Sequence, residues 1–463
     1  MAYPVILFDS ANGDDTNASG AGPSVAITST SGSTDTAGTV VTIPNADLSN
    51  VAVDGSHAVY ISGQGLRSIT AKADSGLSTA NVTVGTAFTG SLTSQTVAIG
   101  GVRQYLFGST RSEIESSCEA GWTLSLAAGH TENLTAVTSY NFGDTSSNPI
   151  RIIGDENDRA TFIMVIGGFA RAFDFNGSTG LIVKNCNFES YRGSDTSGAG
   201  EVHDVIYCPT ASMWINCNCT VRRTYQGNAM FYTQYNHSVT FINCAALVTE
   251  DSTTKYTKAT GFKGRTFSCI RCTTRYCLTG INVQAFSGYV ASVVNCEIDA
   301  NTCITGGNGY TFGATFSHNI CKVNDGGVAF YLPTTWNYTS NGRFIISNNV
   351  CTSDGTYTHI KTDTTTPSMF NNRVLVVDNC FHGGTADTDI QLDAQVNTIT
   401  TDPELTGDVG SFALGSQEVI DHVGVSVGLG MGTTVDQSGT QIYPFRQWAQ
   451  QDPELILHPL RSN

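Results

Sequence analysis

Six acidic residues in the middle of the chain are the side chains best suited to chemistry: Glu201, Asp204, Glu250, Asp251, Asp299 and Asp325. Cleavage of a glycosidic bond needs two carboxyl groups about 5–10 Å apart, one as acid and one as base or nucleophile. No spacing among the six selects a pair, and ordinary solvated carboxylates account for them equally well. Cys269 and Cys272 have Cys-x-x-Cys spacing, with Cys277 close by. A structural zinc needs a second pair or histidines at set spacing, and the nine histidines are scattered. Asp15, Asn17, Ser19 and Gly20 imitate the first half of a calcium loop, but Ala26 stands where a bidentate Glu is required. No glycine-rich phosphate loop opens a helix and no serine elbow occurs. The sequence therefore assigns no catalytic, cofactor-binding or metal residue, and no cofactor is expected.

What recurs instead is a phrase of structure. Asn185-Cys186 closes the run Leu181–Lys184, and the same phrase returns as Ile215-Asn216-Cys217, Ile242-Asn243-Cys244, Val294-Asn295-Cys296 and Asp378-Asn379-Cys380. Looser copies are Ile270-Arg271-Cys272, Asn319-Ile320-Cys321 and Asn349-Val350-Cys351. Counted from residue 185 through 216, 243, 271, 295, 319, 349 and 379, the steps are 31, 27, 28, 24, 24, 30 and 30 residues. A period of this size marks a stacked repeat. Each copy is short, β-branched or aromatic and ends in a turn former, so it reads as a strand and not a helix.

Stacked strands place equivalent residues about 4.8 Å apart. Asparagine tolerates the left-handed backbone of a corner and stacks amide on amide. The expected ladder is Asn185, Asn216, Asn243, Asn295, Asn319, Asn349 and Asn379. Cys186, Cys217, Cys244, Cys272, Cys296 and Cys380 are expected to fill an inward column beside it. The fold class is all-β: a right-handed parallel β-helix, or solenoid, whose eight copies make a shaft of about 40 Å, preceded by a small β-barrel or sandwich.

The net charge of −16 opposes nucleic-acid binding and docking on an anionic membrane, and its plain reading is solubility. Eight of the 14 cysteines belong to the phrase, so packing explains them before disulfides do. The start Met1-Ala2-Tyr3-Pro4 has no basic region or long apolar run, and assembly in a reducing cytoplasm, or delivery by lysis, is expected.

In chain order, residues 1–37 read as a strand, Val5–Phe8, and an extended arm. Residues 38–102 read as an anchoring β-domain with strands at 39–43, 58–61, 67–71, 81–84 and 96–99. Residues 103–400 read as the β-helix. Its end is capped by a helix over 109–118, where Ser112 and Glu115 have capping-box spacing and Ile114 and Cys118 share a face. Tyr225, Tyr232, Tyr235, Tyr256, Trp336 and Tyr338 lie in or near its longer spacers, where they either stack on sugars or fill the coil. Residues 401–463 read as a capping or inter-subunit segment, with Tyr443, Phe445 and Trp448 as candidates for an inter-subunit contact.

This order of parts resembles the virion proteins of tailed bacteriophages, both tailspikes and the spike-like proteins that decorate capsids. The residues carrying the resemblance are the strand-rich block, the 109–118 helix and the Asn-cornered, pectin-lyase-like phrase. The local motifs of β-helical pectin-degrading enzymes are absent. The resemblance implies a homotrimer on the virion surface, held by its N-terminal part to a major capsid protein or to tail and baseplate proteins. It leaves open a tailspike that binds or cleaves host surface polysaccharide, and a free polysaccharide lyase or hydrolase. Only about sixty residues follow the shaft, which favours capsid decoration over a tailspike.

Overall fold

Thirteen parallel strands stacked edge to edge form one long unbranched sheet. The computed structural model describes residues 5–423, apart from 14, 16–26, 50, 52, 54–57, 62–63, 75–78, 101, 109–110, 136–137, 167–171, 176, 193–203, 222–228, 234–237, 250–254, 258, 284–289, 307–312, 333–342, 363–373 and 386–394; beyond 423 it describes 434–435 and 441–442. The long sheet is the first face of a parallel β-solenoid and descends from Thr123–Leu126 to Gln395–Val396. A 16-stranded sheet wraps the rest of each coil. Its second face runs from Thr131–Leu134 through Cys186–Arg192 and Asn218–Val221, and its third through Asp204–Cys208, Ala229–Thr233 and Thr260–Gly264. The two faces merge where Thr273–Val283, Glu297–Gly306 and Ile320–Leu332 run across both.

Inward columns hold the coils together. On the first face Leu124, Ile152, Val183, Trp214, Phe241 and Cys269 follow in register. On the third, Phe173, Ile206, Phe231 and Phe262 do so, and the Phe231 and Phe262 rings stack 4.9 Å apart. Burial of each such side chain contributes about 1.5–3 kcal/mol. All 14 cysteines are free thiols, and all but Cys118 are buried.

The corner between the first and second faces is a column of left-handed residues: Asn185, Asn216, Asn243, Arg271, Asn295, His318, Asn348 and Asp378, with φ between 52° and 57°. Asn216 Nδ2 donates to Asn185 Oδ1 at 3.2 Å. Asn319, Asn349 and Asn379 are not in that column, contrary to the single ladder expected. Each sits one residue later, in the column of Cys272 and Cys296: the carbonyls of Cys272, Cys296, Asn319 and Asn349 accept from Glu297, Ile320, Val350 and Cys380 respectively. The thiol column thus continues downward as buried asparagines, with Asn319 Nδ2 donating to Asn349 Oδ1 and Asn349 Nδ2 to Asn379 Oδ1, both at 2.9 Å. The reason is local. His318, Asn348 and Asp378 take the positive φ, so the following Asn turns inward. Cys380 is correspondingly displaced, pairing with Val350 in a column that leads to Ile320.

The C-terminal segment packs on that column. Phe412, Val419 and Val423 form one apolar cluster with Ile320, Val350 and Cys380. The last two of those contacts come from helix α2 (Gln417–Val423).

The N-terminal part departs from the expected arm and block. Val5–Phe8 is a shaft strand, paired in parallel with Thr123–Leu126 below and Val102–Arg103 above. Between its two shaft strands the chain makes a closed antiparallel barrel. Ile27–Thr34, which the sequence places in the arm, is one of its strands; its run of Ser, Thr and Gly hid the strand behind a linker composition. Ala58 and Tyr60 of the barrel belong to the shaft's apolar core, together with Ile114. Helix α1 (Arg111–Ser117) lies at this junction, but Glu115 Oε1 accepts Asn141 N–H instead of closing a capping box with Ser112.

The junction is also stapled by buried polar groups. Glu132 accepts Leu106 N–H at 2.6 Å and Phe107 N–H at 2.9 Å. Ser10 N–H donates to His130 Nδ1, so the ring's proton sits on Nε2 and is donated to Glu132 at 2.7 Å. The buried Arg103 guanidinium lies 5.2 Å over the Tyr60 ring. Head and shaft are therefore one packed body at this end.

Candidate functional site

Of the six carboxylates, the structure brings one into a built constellation. Asp299 lies on the second face opposite Lys322 of the next coil. One coil above, the pairing of Thr273–Val283 slips between Thr274 and Cys277, and Tyr276 takes a φ of 58°. Tyr256, in the turn at 255–257, takes a φ of 57°. Positive φ at a bulky side chain costs of order 1–3 kcal/mol and persists only where the surroundings hold it. Here Tyr256 N–H donates to Tyr276 O at 2.8 Å, and the two rings meet edge to face at 5.5 Å.

The strained pair aims one group. The Tyr256 hydroxyl donates to Asp299 Oδ1 at 2.7 Å. Burial raises the Asp299 carboxyl above its ordinary range, against the opposing pull of the Tyr256 hydroxyl, Lys322 and Arg275. Burial, and then the hydrogen bond to Asp299, push the Tyr256 hydroxyl far up, so it keeps its proton and acts as a donor. Three cations surround this core. Lys255 Nζ lies 4.2 Å and Arg275 Cζ 4.8 Å from the Tyr276 ring centroid, and Lys322 bridges to Asp354 at 3.1 Å. Arg275 also reaches the Tyr276 hydroxyl at 3.2 Å.

A second carboxylate stands on the same face. Glu297 is two residues before Asp299 on the same strand, roughly 6–7 Å along the backbone. It is already occupied: its Oε2 accepts Gly410 N–H at 2.6 Å and Phe412 N–H at 3.1 Å, which fastens the C-terminal segment to the shaft. Burial raises this carboxyl too, against those two amides. The pair is adjacent, but one member is spent on structure. The arrangement is suited to holding an anionic or hydroxyl-rich group beside three cations, not to two-carboxylate hydrolysis.

The other sequence candidates disperse. Asp204 is buried, and its backbone carbonyl accepts Ala172 N–H. Asp325 is consumed by a bond to the next coil, accepting Thr356 N–H at 2.8 Å. Asp15 accepts the Gln104 and Tyr105 amides at the head, while Asn17, Ser19, Gly20 and Ala26 lie outside the described residues. Glu201, Glu250, Asp251, Tyr225, Tyr235, Trp336, Tyr338, Tyr443, Phe445 and Trp448 also lie outside them. Tyr232 is on the third face, its ring 5.3 Å from Tyr207 and 5.7 Å from Lys263 Nζ. Cys269 faces inward on the first face, and among the described residues no group of three or more His, Cys, Asp or Glu is placed to hold a metal.

Sequence reasoning named Tyr256 and Asp299 separately and missed Lys255, Arg275, Tyr276 and Lys322. A signal was present. Arg275, Asp299 and Lys322 are 24 and 23 residues apart, close to the step of the repeat phrase in that stretch.

No family model and no curated protein matches the chain. Among solved structures, the PL6-family alginate lyase AlyGC is similar over 72% of this chain and 58% of its own, at 9% identity and a TM-score of 0.28. The tailspike protein gp49 from Pseudomonas phage LKA1 is similar over 79% of this chain and 66% of its own, at 12% identity and a TM-score of 0.15. This chain spans less than two thirds of either. Scores of this size carry nothing about substrate, chemistry or assembly.

Proposed function

We propose that this chain is a structural surface subunit of a tailed-phage particle, a rigid β-helical capsid decoration or spike that works as a homotrimer and cleaves nothing. The observation that supports it best is the splice at the head. The barrel sits between two neighbouring shaft strands, Val5–Phe8 and Val102–Arg103, with Ala58 and Tyr60 packed into the shaft core. Such a head holds a rod at a set attitude to whatever the barrel grips. Val53, which lies in sequence between the barrel strands Val40–Ile43 and Ala58–Ile61, is an apolar side chain 45% exposed and available to a partner. The partners in this reading are a major capsid protein or tail and baseplate proteins.

The test is localisation. Gold-labelled antibody against the chain should decorate purified particles, on the shell for a decoration protein or at the tail for a spike. Light scattering of the purified protein should give three times the chain mass. Particles free of the protein, or a monomer in solution, would remove the proposal.

A second reading, favoured by the Tyr256–Asp299 constellation, is that the lateral face binds host polysaccharide as tailspikes do. Three cations on a chain of net charge −16 favour an acidic sugar. Titration with a polyuronate and with a neutral glucan tests it. Binding of the polyuronate alone, weakened at least tenfold in Lys322→Ala and Tyr256→Phe, supports this reading. Equal or absent binding of both removes it.

A further inference from the structure

The outer side of the first face carries an apolar stripe that nothing in the repeat explains. Register places Ile182 and Met213 in one outward column, and Ile215, Ile242, Ile270 and Val294 in the other. Side chains that point away from the shaft belong in water. Yet Met213, Ile215 and Ile242 are only 7%, 8% and 4% exposed, values of a core, and with Ile182 they form a cluster separate from the shaft interior. Further down the first column, Ile345 and Leu375 are 37% and 45% exposed. The upper stripe is covered and the lower is bare, and the described members of the upper cluster all come from the face itself.

We infer that the occupant of this stripe is the C-terminal segment of this same chain, residues 443–457. Three observations carry the choice. That segment is Tyr-Pro-Phe-Arg-Gln-Trp-Ala-Gln-Gln-Asp-Pro-Glu-Leu-Ile-Leu, the longest aromatic and aliphatic stretch outside the described residues. The spacers at 193–203, 222–228 and 234–237 are mostly Gly, Ser, Thr, Asn, Gln and charged residues; they hold the isolated aromatics Tyr225 and Tyr235 but no aliphatic run. Reach suffices: helix α2 ends at Val423 on the lowest coils, Thr434–Val435 pairs back on Gln441–Ile442, and the ten residues from 424 to 433 span up to about 35 Å, against about 30 Å from there to the level of Met213. Charge agrees as well. The two outward columns contain Arg151 and Lys184 and no acidic residue, whereas the segment brings Asp452 and Glu454. This inference stands apart from the particle assignment, since it concerns only where the chain's own end is seated.

The experiment is photo-crosslinking in the full-length protein. A benzophenone amino acid at position 213, and in a second variant at position 270 on the margin of the stripe, is irradiated and the adducts are mapped by mass spectrometry. Adducts within 443–457 are expected, and mixing heavy- and light-isotope protein tells whether the segment comes from the same copy or a neighbour. Adducts confined to 193–203, 222–228 or 234–237, or none at both positions, would overturn the inference. As a check independent of the inserted residue, Phe445→Ser with Trp448→Ser and Leu455→Ser should raise binding of a hydrophobic dye several-fold at unchanged far-ultraviolet dichroism. Unchanged dye binding would count against the segment.

Discussion

Asn349 donates its side-chain amide to Asn379 Oδ1 at 2.9 Å and receives the amide of Asn319 at the same distance, while its neighbour Asn348 turns the corner with a φ of 56°. Two adjacent asparagines thus do different work, one in hydrogen bonding and one in backbone conformation. Asn348→Gly should change stability by less than about 0.5 kcal/mol, because glycine adopts this φ freely. Asn349→Gly should cost at least about 2 kcal/mol, because buried partners on both neighbouring coils, and the Phe316 carbonyl, lose their bonds. Chemical denaturation of the two variants measures both. Equal losses would mean that the corner, and not the ladder, carries the stability.

Glu297 fastens the C-terminal segment through two backbone amides. Glu297→Ala should loosen residues 405–415, read as faster amide exchange there with the shaft unchanged. Glu297→Gln keeps one acceptor oxygen and should retain most protection. The pH dependence has a definite sign. The folded state raises this carboxyl above its ordinary value of 4.5, so the native protein holds the proton more tightly than the unfolded chain. Its contribution is greatest at low pH and is lost as pH rises from about 4.5 through the raised value. Asp299 acts in the same direction, from an ordinary value of 3.8. Melting temperatures of Glu297→Gln with Asp299→Asn should fall less over that window than those of the parent protein; parallel curves would refute the assignment.

A chain starting at Val102 should not fold into a stable shaft. It lacks Val5–Phe8, which pairs with Thr123–Leu126, and it uncovers the core that Ala58 and Tyr60 close. An arm at 1–37 and an anchoring domain at 38–102 that folded apart from the shaft would give the opposite outcome. Dichroism and gel filtration of the truncated chain decide between them: a soluble, cooperatively melting product would favour separability.

Thiol reactivity should follow burial. Burial pushes the Cys208 and Cys219 thiols well above their ordinary range and the Cys380 thiol up to about 12, which suppresses the reactive thiolate. An aromatic disulfide reagent should titrate at most one group in the native protein, with Cys118 the least buried, and 14 after unfolding. Rapid loss of several thiols without unfolding would contradict the packed column.

The architecture was legible because the phrase ending in Asn185-Cys186 repeats chemistry that only stacked strands need. Its register was less so. The pairs Asn348-Asn349 and Asp378-Asn379 offer two turn formers each, and pattern alone does not say which one takes the positive φ. Ile27–Thr34 escaped notice because Ser, Thr and Gly are as common in linkers as on small barrels. The constellation at Asp299 was half visible. Arg275 and Lys322 share the repeat's step with it, but the slip that throws Tyr276 outward, and the arrival of Gly410 and Phe412 at Glu297, join residues with no common spacing.

The position of Val5–Phe8 also sets an order of events during synthesis. The strand leaves the ribosome more than a hundred residues before Thr123–Leu126, the partner that supports it. At about 5–20 residues per second the interval is on the order of 5–25 s. The intervening barrel has all its strands by residue 99 and can close within that time. Val-Ile-Leu-Phe can pair with Val102–Arg103 once that strand emerges, but its other edge stays open until Thr123–Leu126 arrives, and such an edge seeks other strands. Nascent chains are therefore most exposed to mispairing and chaperone capture between the completion of the barrel and the arrival of the first coil, and a ribosome paused near residue 110 would prolong that hazard.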